Sequence, residues 1–333
     1  MSEIPWKSIW RQVHKKKNVV GISGELQPRI KESTGEVYED ELCVRIYVEK
    51  KEPERKLSKR DLIPKSVSSV PVDVVVIGKI QAPPPTTKKQ SVKDKFRPAP
   101  AGCSAIHAGG TACTLGWFAR DKTDGELVVI ANNHCTADEN TNRKGHPYLQ
   151  PSPYDGGRPG DKLGVLKRFV PIKFYRYTCR YRDTFTLKPL RAWLADVGML
   201  DMPMNRVDLG IISVPEDSII VEVLGVGKLQ GKRRGTPGEL AEKVGRTTGH
   251  TIDGKLIDNN WYGHVSYARG KAFFGHCGLI EKKNFSAGGD SSSAIFWKSD
   301  KKFAGLLFAG STTHTIFCHW DDIEAEGNVE IVW

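Results

Sequence analysis

Ser291 and His134 are the residues best placed to do chemistry. Ser291 ends the glycine-containing stretch Ser286-Ala-Gly-Gly-Asp-Ser291, just ahead of the apolar run Ala294-Ile-Phe-Trp297. His134 sits in Asn133-His-Cys135, 157 residues earlier, after the apolar run Leu127 to Ala131. A serine hydroxyl is a poor nucleophile and must lose its proton as it attacks. It needs a turn that exposes its oxygen and two backbone N–H groups aimed at the oxyanion that forms. A histidine at a strand end beside the cleft can take that proton. A carboxylate then accepts the other imidazole proton and fixes the tautomer. Asp208 is favoured for this role because the apolar segment Leu209-Gly-Ile-Ile212 follows it directly. Asp183, Asp196 and Asp201 are its rivals. In isolation, each residue also has an ordinary reading: a turn histidine bonded locally, or a turn aspartate capping a strand.

The surrounding elements must position these groups. Trp6, Ile9, Trp10 and Val13 share one helical face, and Lys15-Lys-Lys17 follows, where cations suit a helix C-terminus. Glu41 to Tyr47 and Val70 to Ile80 read as strands, with a short helix or turn at Leu57 to Pro64. This gives a small α+β front region over 1–82. Residues 83–102, rich in Pro and Lys, read as a linker or an extended strap. From Cys103 onward short strands alternate with glycine turns. They are expected at Thr114–Ala119, Leu127–Ala131, Leu163–Phe169, Leu209–Val214, Lys255–Ile257, Gly263–Tyr267, Ala294–Trp297 and Phe303–Ala309. Tight turns are expected at Asp124-Gly125 and Asp253-Gly254. Many short strands without alternating long helices point to a barrel or sandwich. Residues 171–207 are less regular, and Trp320 to Glu326 and Val329 to Val332 read as a final helix and strand.

The chain has 333 residues, 27% charged and 39% apolar, as in a soluble globular protein. No apolar run reaches the roughly 20 residues of a membrane-spanning helix, and the first residues do not lead into a signal-like apolar stretch. The expectation is a cytoplasmic protein. The seven cysteines, Cys43, Cys103, Cys113, Cys135, Cys179, Cys277 and Cys318, form no close metal-binding pairs and are expected to be reduced, with Cys135 and Cys179 a pairing left open. His250, His264, His276, His314 and His319 are scattered without metal-ligand spacing, and Gly109-Gly-Thr111 lacks the ending of a phosphate loop. No metal and no cofactor are expected. The net charge of +11 is uneven: residues 1–100 hold 21 Lys or Arg against 13 Asp or Glu. Such a front suits an acidic protein partner or nucleic acid, and equally a merely soluble charged surface.

At these residues the chain resembles the trypsin-like serine peptidases of the chymotrypsin fold. Asn133-His-Cys135 is similar to that family's Ala-His-Cys segment. Asp208-Leu-Gly-Ile211 is similar to its Asp-Ile-Ala-Leu segment, and Gly289-Asp-Ser291 matches its nucleophile motif. Gly305-Leu-Leu-Phe-Ala-Gly310 resembles the strand that lines the cleft. The chain also resembles a divergent, mostly intracellular branch that includes bacterial homologues and plant relatives of the narrow-leaf protein. The segments that carry this are Cys43 to Lys50, Pro71-Val-Asp-Val74, Ser152-Pro-Tyr-Asp-Gly-Gly157 and Val244-Gly-Arg-Thr-Thr-Gly249.

The resemblance implies a mainly β protein. It would be a chymotrypsin-like double β-barrel over 103–333 with a small N-terminal α+β accessory region. It further implies a catalytic trio of His134, Asp208 and Ser291, with Gly289 and Ser291 N–H groups as the oxyanion hole. Phe285, six residues before the nucleophile, would floor a shallow or apolar pocket, with Phe308, Ala309 and Gly310 along the cleft. The implied activity is a serine endopeptidase acting on a peptide or protein substrate through an acyl-enzyme. The alternative is a weakly active or inactive protease-like interaction protein. A third reading makes residues 1–100 a regulatory or docking module. Ser292 motivates the second, because the family has glycine there. A serine fits that position easily only if its φ is negative.

Overall fold

The computed structural model describes residues 4–31, 36–67, 69–80, 92–174 and 203–333. The strands are β1 (Val19–Ser23), β2 (Gln27–Lys31), β3 (Glu36–Val48), β4 (Ser66–Val67), β5 (Val70–Val76), β6 (Ala99–Ala101), β7 (Ile106–His107), β8 (Trp117–Asp121), β9 (Leu127–Ala131), β10 (Pro147–Leu149), β11 (Lys162–Val170), β12 (Met204–Asn205), β13 (Leu209–Ser213), β14 (Ile219–Val223), β15 (Leu240–Gly245), β16 (Gly249–Tyr267), β17 (Gly270–Glu281), β18 (Ala294–Trp297), β19 (Phe303–Gly310), β20 (His314–His319) and β21 (Val329–Ile331). The helices are α1 (Trp6–Val13), α2 (Asn133–Thr136) and α3 (Trp320–Gly327). Among the described residues, no helix is long and apolar enough to cross a membrane.

The described residues fall into two compact units, one within 1–80, 173–205 and 260–275, the other within 81–172, 206–259 and 276–333. In the first, α1 buries Ile9, Trp10 and Val13, the face its spacing predicts. They join Ile22, Val44, Ile46, Val48, Tyr262 and Phe273 in one core. The end of α1 is satisfied locally, since the Nδ1–H of His14 donates to the Trp10 carbonyl at 2.8 Å. β3 pairs in parallel with β5, with Val44 opposite Val72, and in antiparallel fashion with β1.

In the second unit, β9 and β13 are nearly continuous apolar runs, and they pair with Ala131 opposite Gly210. A second core gathers Ala241, Leu256, Ile280, Phe285, Ile295, Trp297, Ala304, Leu307 and Phe317. The Asp124-Gly125 turn forms between β8 and β9, closed by the Gly125 N–H on the Asp121 carbonyl at 2.7 Å. The turn expected at Asp253-Gly254 does not form. β16 runs through it as one 19-residue strand. Asp253 takes a left-handed φ of 58° there, and the register with β15 shifts beside it, so the Asp-Gly pair is absorbed as a bulge.

The double β-barrel expected over 103–333 is not what the strands build. One sheet has seven strands in the order β21-β8-β9-β13-β11-β10-β7. Among the described residues it is open, since β21 and β7 stand at opposite ends of that order. Other strands of the second unit pair in the order β20-β19-β18-β15-β16, and those of the first unit in the order β1-β3-β5-β4 with β2 on β3. β14 and β6 form a separate pair. The physical reason lies in β16 and β17, of 19 and 12 residues. Both are much longer than the usual strand of about 5–6 residues. The part of β16 beyond Asn259 belongs to the first unit and pairs there with β1, with Gly263 facing Gly21. The protein is mainly β with mixed sheets.

Candidate active site

His134 lies on α2, the short turn that follows β9. Thr136 Oγ1 donates to the Asn132 carbonyl at 2.9 Å, and the Ala137 N–H donates to the Asn133 carbonyl at 2.6 Å. Asn133, which departs from the alanine of the resembling family, is well used. Its Nδ2 donates to Asn140 Oδ1 and to the Val170 carbonyl, both at 2.8 Å. Next to the histidine, Cys135 is joined to Cys113 in a disulfide. This corrects the expectation of reduced cysteines throughout. Cys43, Cys103, Cys277 and Cys318 are buried and form no disulfide among the described residues, and Cys179 lies outside the described residues. A ring nitrogen of His134 and the two sulfurs lie within 4.8 Å of one another. Because the sulfurs are bonded to each other, neither is a thiolate ligand.

Asp208 enters β13 with its side chain fully buried. Its Oδ2 accepts the Nδ1–H of His134 at 2.7 Å, and its Oδ1 accepts the His134 backbone N–H at 3.2 Å. One carboxylate therefore holds both the ring and the backbone of the histidine. β13 comes close to α2 here, because a side chain on Gly210 would collide with Thr136 Oγ1. The rival aspartates Asp183, Asp196 and Asp201 lie outside the described residues.

Ser291 stands in the turn before β18 and is 2% exposed. The turn is built around Asp290. Its Oδ1 accepts the N–H groups of Thr247 at 2.7 Å and Thr248 at 3.2 Å. Its Oδ2 accepts Thr248 Oγ1 at 2.7 Å, the Ala287 N–H at 2.9 Å and Lys243 Nζ at 3.2 Å. Lys243 and Asp290 are both 0% exposed in their side chains. Burial pushes the Lys243 ammonium below its ordinary value, against the pull of Asp290. Gly289 is required as glycine. Its φ is +95°, and a Cβ would meet Thr247 Oγ1 at 2.5 Å and Arg246 Cδ at 3.3 Å.

Two links tie this turn to the histidine segment. The Thr114 N–H donates to the Ser291 carbonyl at 3.0 Å, and Thr114 adjoins Cys113 of the disulfide. On the other side, Ser292 Oγ accepts the Asn132 N–H at 2.8 Å. Asn132 in turn donates its Nδ2 to the Asp208 carbonyl at 2.9 Å. Ser292 is buried, with φ +76°, so the condition of a negative φ is not met.

Arg246 backs the same turn. Its Nε donates to Asp155 Oδ2 at 2.7 Å, and its guanidinium lies 4.9 Å from the Tyr154 ring centre. Burial pushes the Asp155 carboxyl up, but bonds from Arg246, Ser104 and Ser152 outweigh it, and the net shift is downward. Thus Ser152-Pro-Tyr-Asp155 and Val244-Gly-Arg246, far apart in sequence, meet beside Gly289.

Phe285 is 1% exposed and packs in the second core with Ile280 and Phe317. Phe308 and Ala309 are buried in β19, and Gly310 is half-buried at its end. A Cβ on Gly310 would sit 3.3 Å from Ser286 Oγ, which shares a 2.7 Å hydrogen bond with Thr315 Oγ1. Sequence reasoning missed Thr114, Asn132, Lys243, Arg246 and Asp155 as supports. The last two lie in the resembling segments, which was the available signal. Nothing in the sequence marks Lys243 or Asn132.

No family model and no curated protein matches the chain. Among solved structures it is similar to Thermobifida fusca protease A, at 16% identity over 70% of this chain and 99% of that one, with a TM-score of 0.45. It is similar to Nocardiopsis protease at 15% identity, covering 71% and 100%, with a TM-score of 0.46. A third is Cellulomonas bogoriensis chymotrypsin, at 15% identity, covering 70% and 97%, with a TM-score of 0.44.

Proposed function

We propose that the chain is a serine endopeptidase in which Ser291 is the nucleophile, His134 the base and Asp208 the orienting carboxylate. The observation that carries this reading is the 2.7 Å bond between His134 Nδ1–H and the buried Asp208 carboxylate. That bond fixes the tautomer and leaves Nε2 as the proton acceptor. Its support is the pair of hydrogen bonds by which Ser292 and Ser291 reach Asn132 and Thr114.

In the proposed reaction, Ser291 Oγ bonds to the peptide carbonyl carbon as its proton passes to His134 Nε2. Asp208 stabilises the resulting imidazolium. The backbone N–H groups of Gly289 and Ser291 receive the oxyanion. Among the described residues, neither N–H makes a backbone hydrogen bond of its own. Collapse breaks the C–N bond, and His134 gives its proton to the leaving amine. Water, deprotonated by the same nitrogen, then releases the acyl group and restores Ser291. The test is peptide hydrolysis by purified Ser291→Ala protein. Loss to background is expected, and full retention overturns the assignment.

A further inference from the structure

We infer that the hydroxyl of Ser292 is a positioning group for the nucleophile, so that glycine, the residue of the resembling family, would serve this chain worse. The inference rests on the proposed peptidase reading and names one more residue that the reaction needs.

Three observations carry it. First, Ser292 holds φ at +76°, a left-handed conformation that a non-glycine residue adopts only when its surroundings impose it. Second, it is 0% exposed, so no solvent contact explains a polar side chain there. Its own N–H donates to the Leu307 carbonyl at 2.8 Å, which anchors the residue on β19. Third, its Oγ accepts the buried Asn132 N–H at 2.8 Å. Asn132 is two residues before the proposed base and one before α2. Its Nδ2 also binds the Asp208 carbonyl at 2.9 Å. The Asn132 N–H would lie buried without this acceptor.

Ser292 Oγ therefore closes a chain of contacts through Asn132. The chain joins the residue after the nucleophile, the segment that leads into the base, and the main chain of the orienting carboxylate. Glycine at 292 would accept the φ freely but would supply no acceptor. The nucleophile turn and the segment leading into His134 would then lose one of the two links described between them, leaving the one through Thr114. Displacements near 1 Å between a nucleophile and its base cost about 100-fold in rate.

The test compares Ser292→Gly and Ser292→Cys with the full chain. Three quantities are measured: kcat and KM on a peptide substrate, the rate of covalent labelling by a fluorophosphonate, and the melting temperature. For Ser292→Gly, kcat and the labelling rate are expected to fall together by about 10- to 100-fold, with KM nearly unchanged. Its melting temperature is expected to lie close to that of the parent, because relief at φ offsets the lost bond. Ser292→Cys, which keeps a weak acceptor at the same φ, is expected to recover part of both rates. If Ser292→Gly matches or exceeds the parent in kcat and labelling, the inference is overturned. A loss of rate only where the variant has begun to melt assigns Ser292 a purely structural role and overturns it as well. Ser291→Ala, run alongside, separates the two failures. If it still labels and hydrolyses, the peptidase reading itself falls.

Discussion

Replacing Lys243 with methionine tests how the nucleophile turn is held. The ammonium and the Asp290 carboxylate are both fully buried and 3.2 Å apart. A buried pair of this kind adds little net stability over apolar residues of the same volume, but removing one partner strands the other, at a cost of about 3–5 kcal/mol. Lys243→Met leaves a carboxylate with four donors and no cation. In a unit of this size, 1 kcal/mol moves the melting temperature by about 2–4 °C, so a fall of roughly 6–20 °C is expected. The turn carries both proposed oxyanion donors. Loss of one well-placed donor costs about 100-fold or more in kcat, and a loss of that order should appear well below the melting temperature. The assay is thermal melting together with peptide hydrolysis at 20 °C. A second variant, Lys243→Met with Asp290→Asn, removes the stranded charge and should regain part of the lost stability. If Lys243→Met melts within about 2 °C of the parent and keeps its rate, the buried pair does not organise the turn.

Asp208→Asn should lower kcat by about 10⁴-fold, because the amide would favour the wrong histidine tautomer; unchanged hydrolysis would exclude Asp208 as the orienter. Reduction of Cys113–Cys135, 22 residues apart, should cost about 3 kcal/mol by the loop-closure relation. A Cys113→Ala/Cys135→Ala variant followed by urea unfolding checks this. Burial holds His264 and His319 down to about 3, and His107 below 6.5. Between those values and 6.5 the unfolded chain binds protons that the folded one refuses, so stability rises with pH. It should therefore fall on acidification below 6.5, by up to about 1.4 kcal/mol per pH unit for each histidine. Melting curves at pH 7 and 5 read this, and His319→Phe should flatten the slope.

The segments that carry His134, Asp208 and Ser291 could be read from the sequence because each adjoins an apolar strand whose pattern is local. The Leu127–Ala131 and Ala294–Trp297 runs form as β9 and β18. The face of α1 was legible for the same reason, through its i, i+3, i+4 spacing. Strand pairing was not. Whether β16 ends at Asp253 or continues depends on what it pairs with, and its partners β15 and β1 lie in different parts of the chain. The supports of the site were hidden in another way. Lys243 in Ala-Glu-Lys-Val reads as a surface residue, since its burial depends on Asp290, 47 residues away. Ser292 could be recognised as a departure from a family pattern, but its φ and its bond to Asn132 exist only once α2 and β18 are folded together.

The central claim is tested most directly by the covalent site of a fluorophosphonate on the purified full chain, located by peptide mass mapping. The account predicts one adduct, on Ser291, absent in Ser291→Ala and strongly slowed in His134→Ala. No adduct on the folded protein, or an adduct on Ser292 or Ser293 that persists in Ser291→Ala, would contradict it.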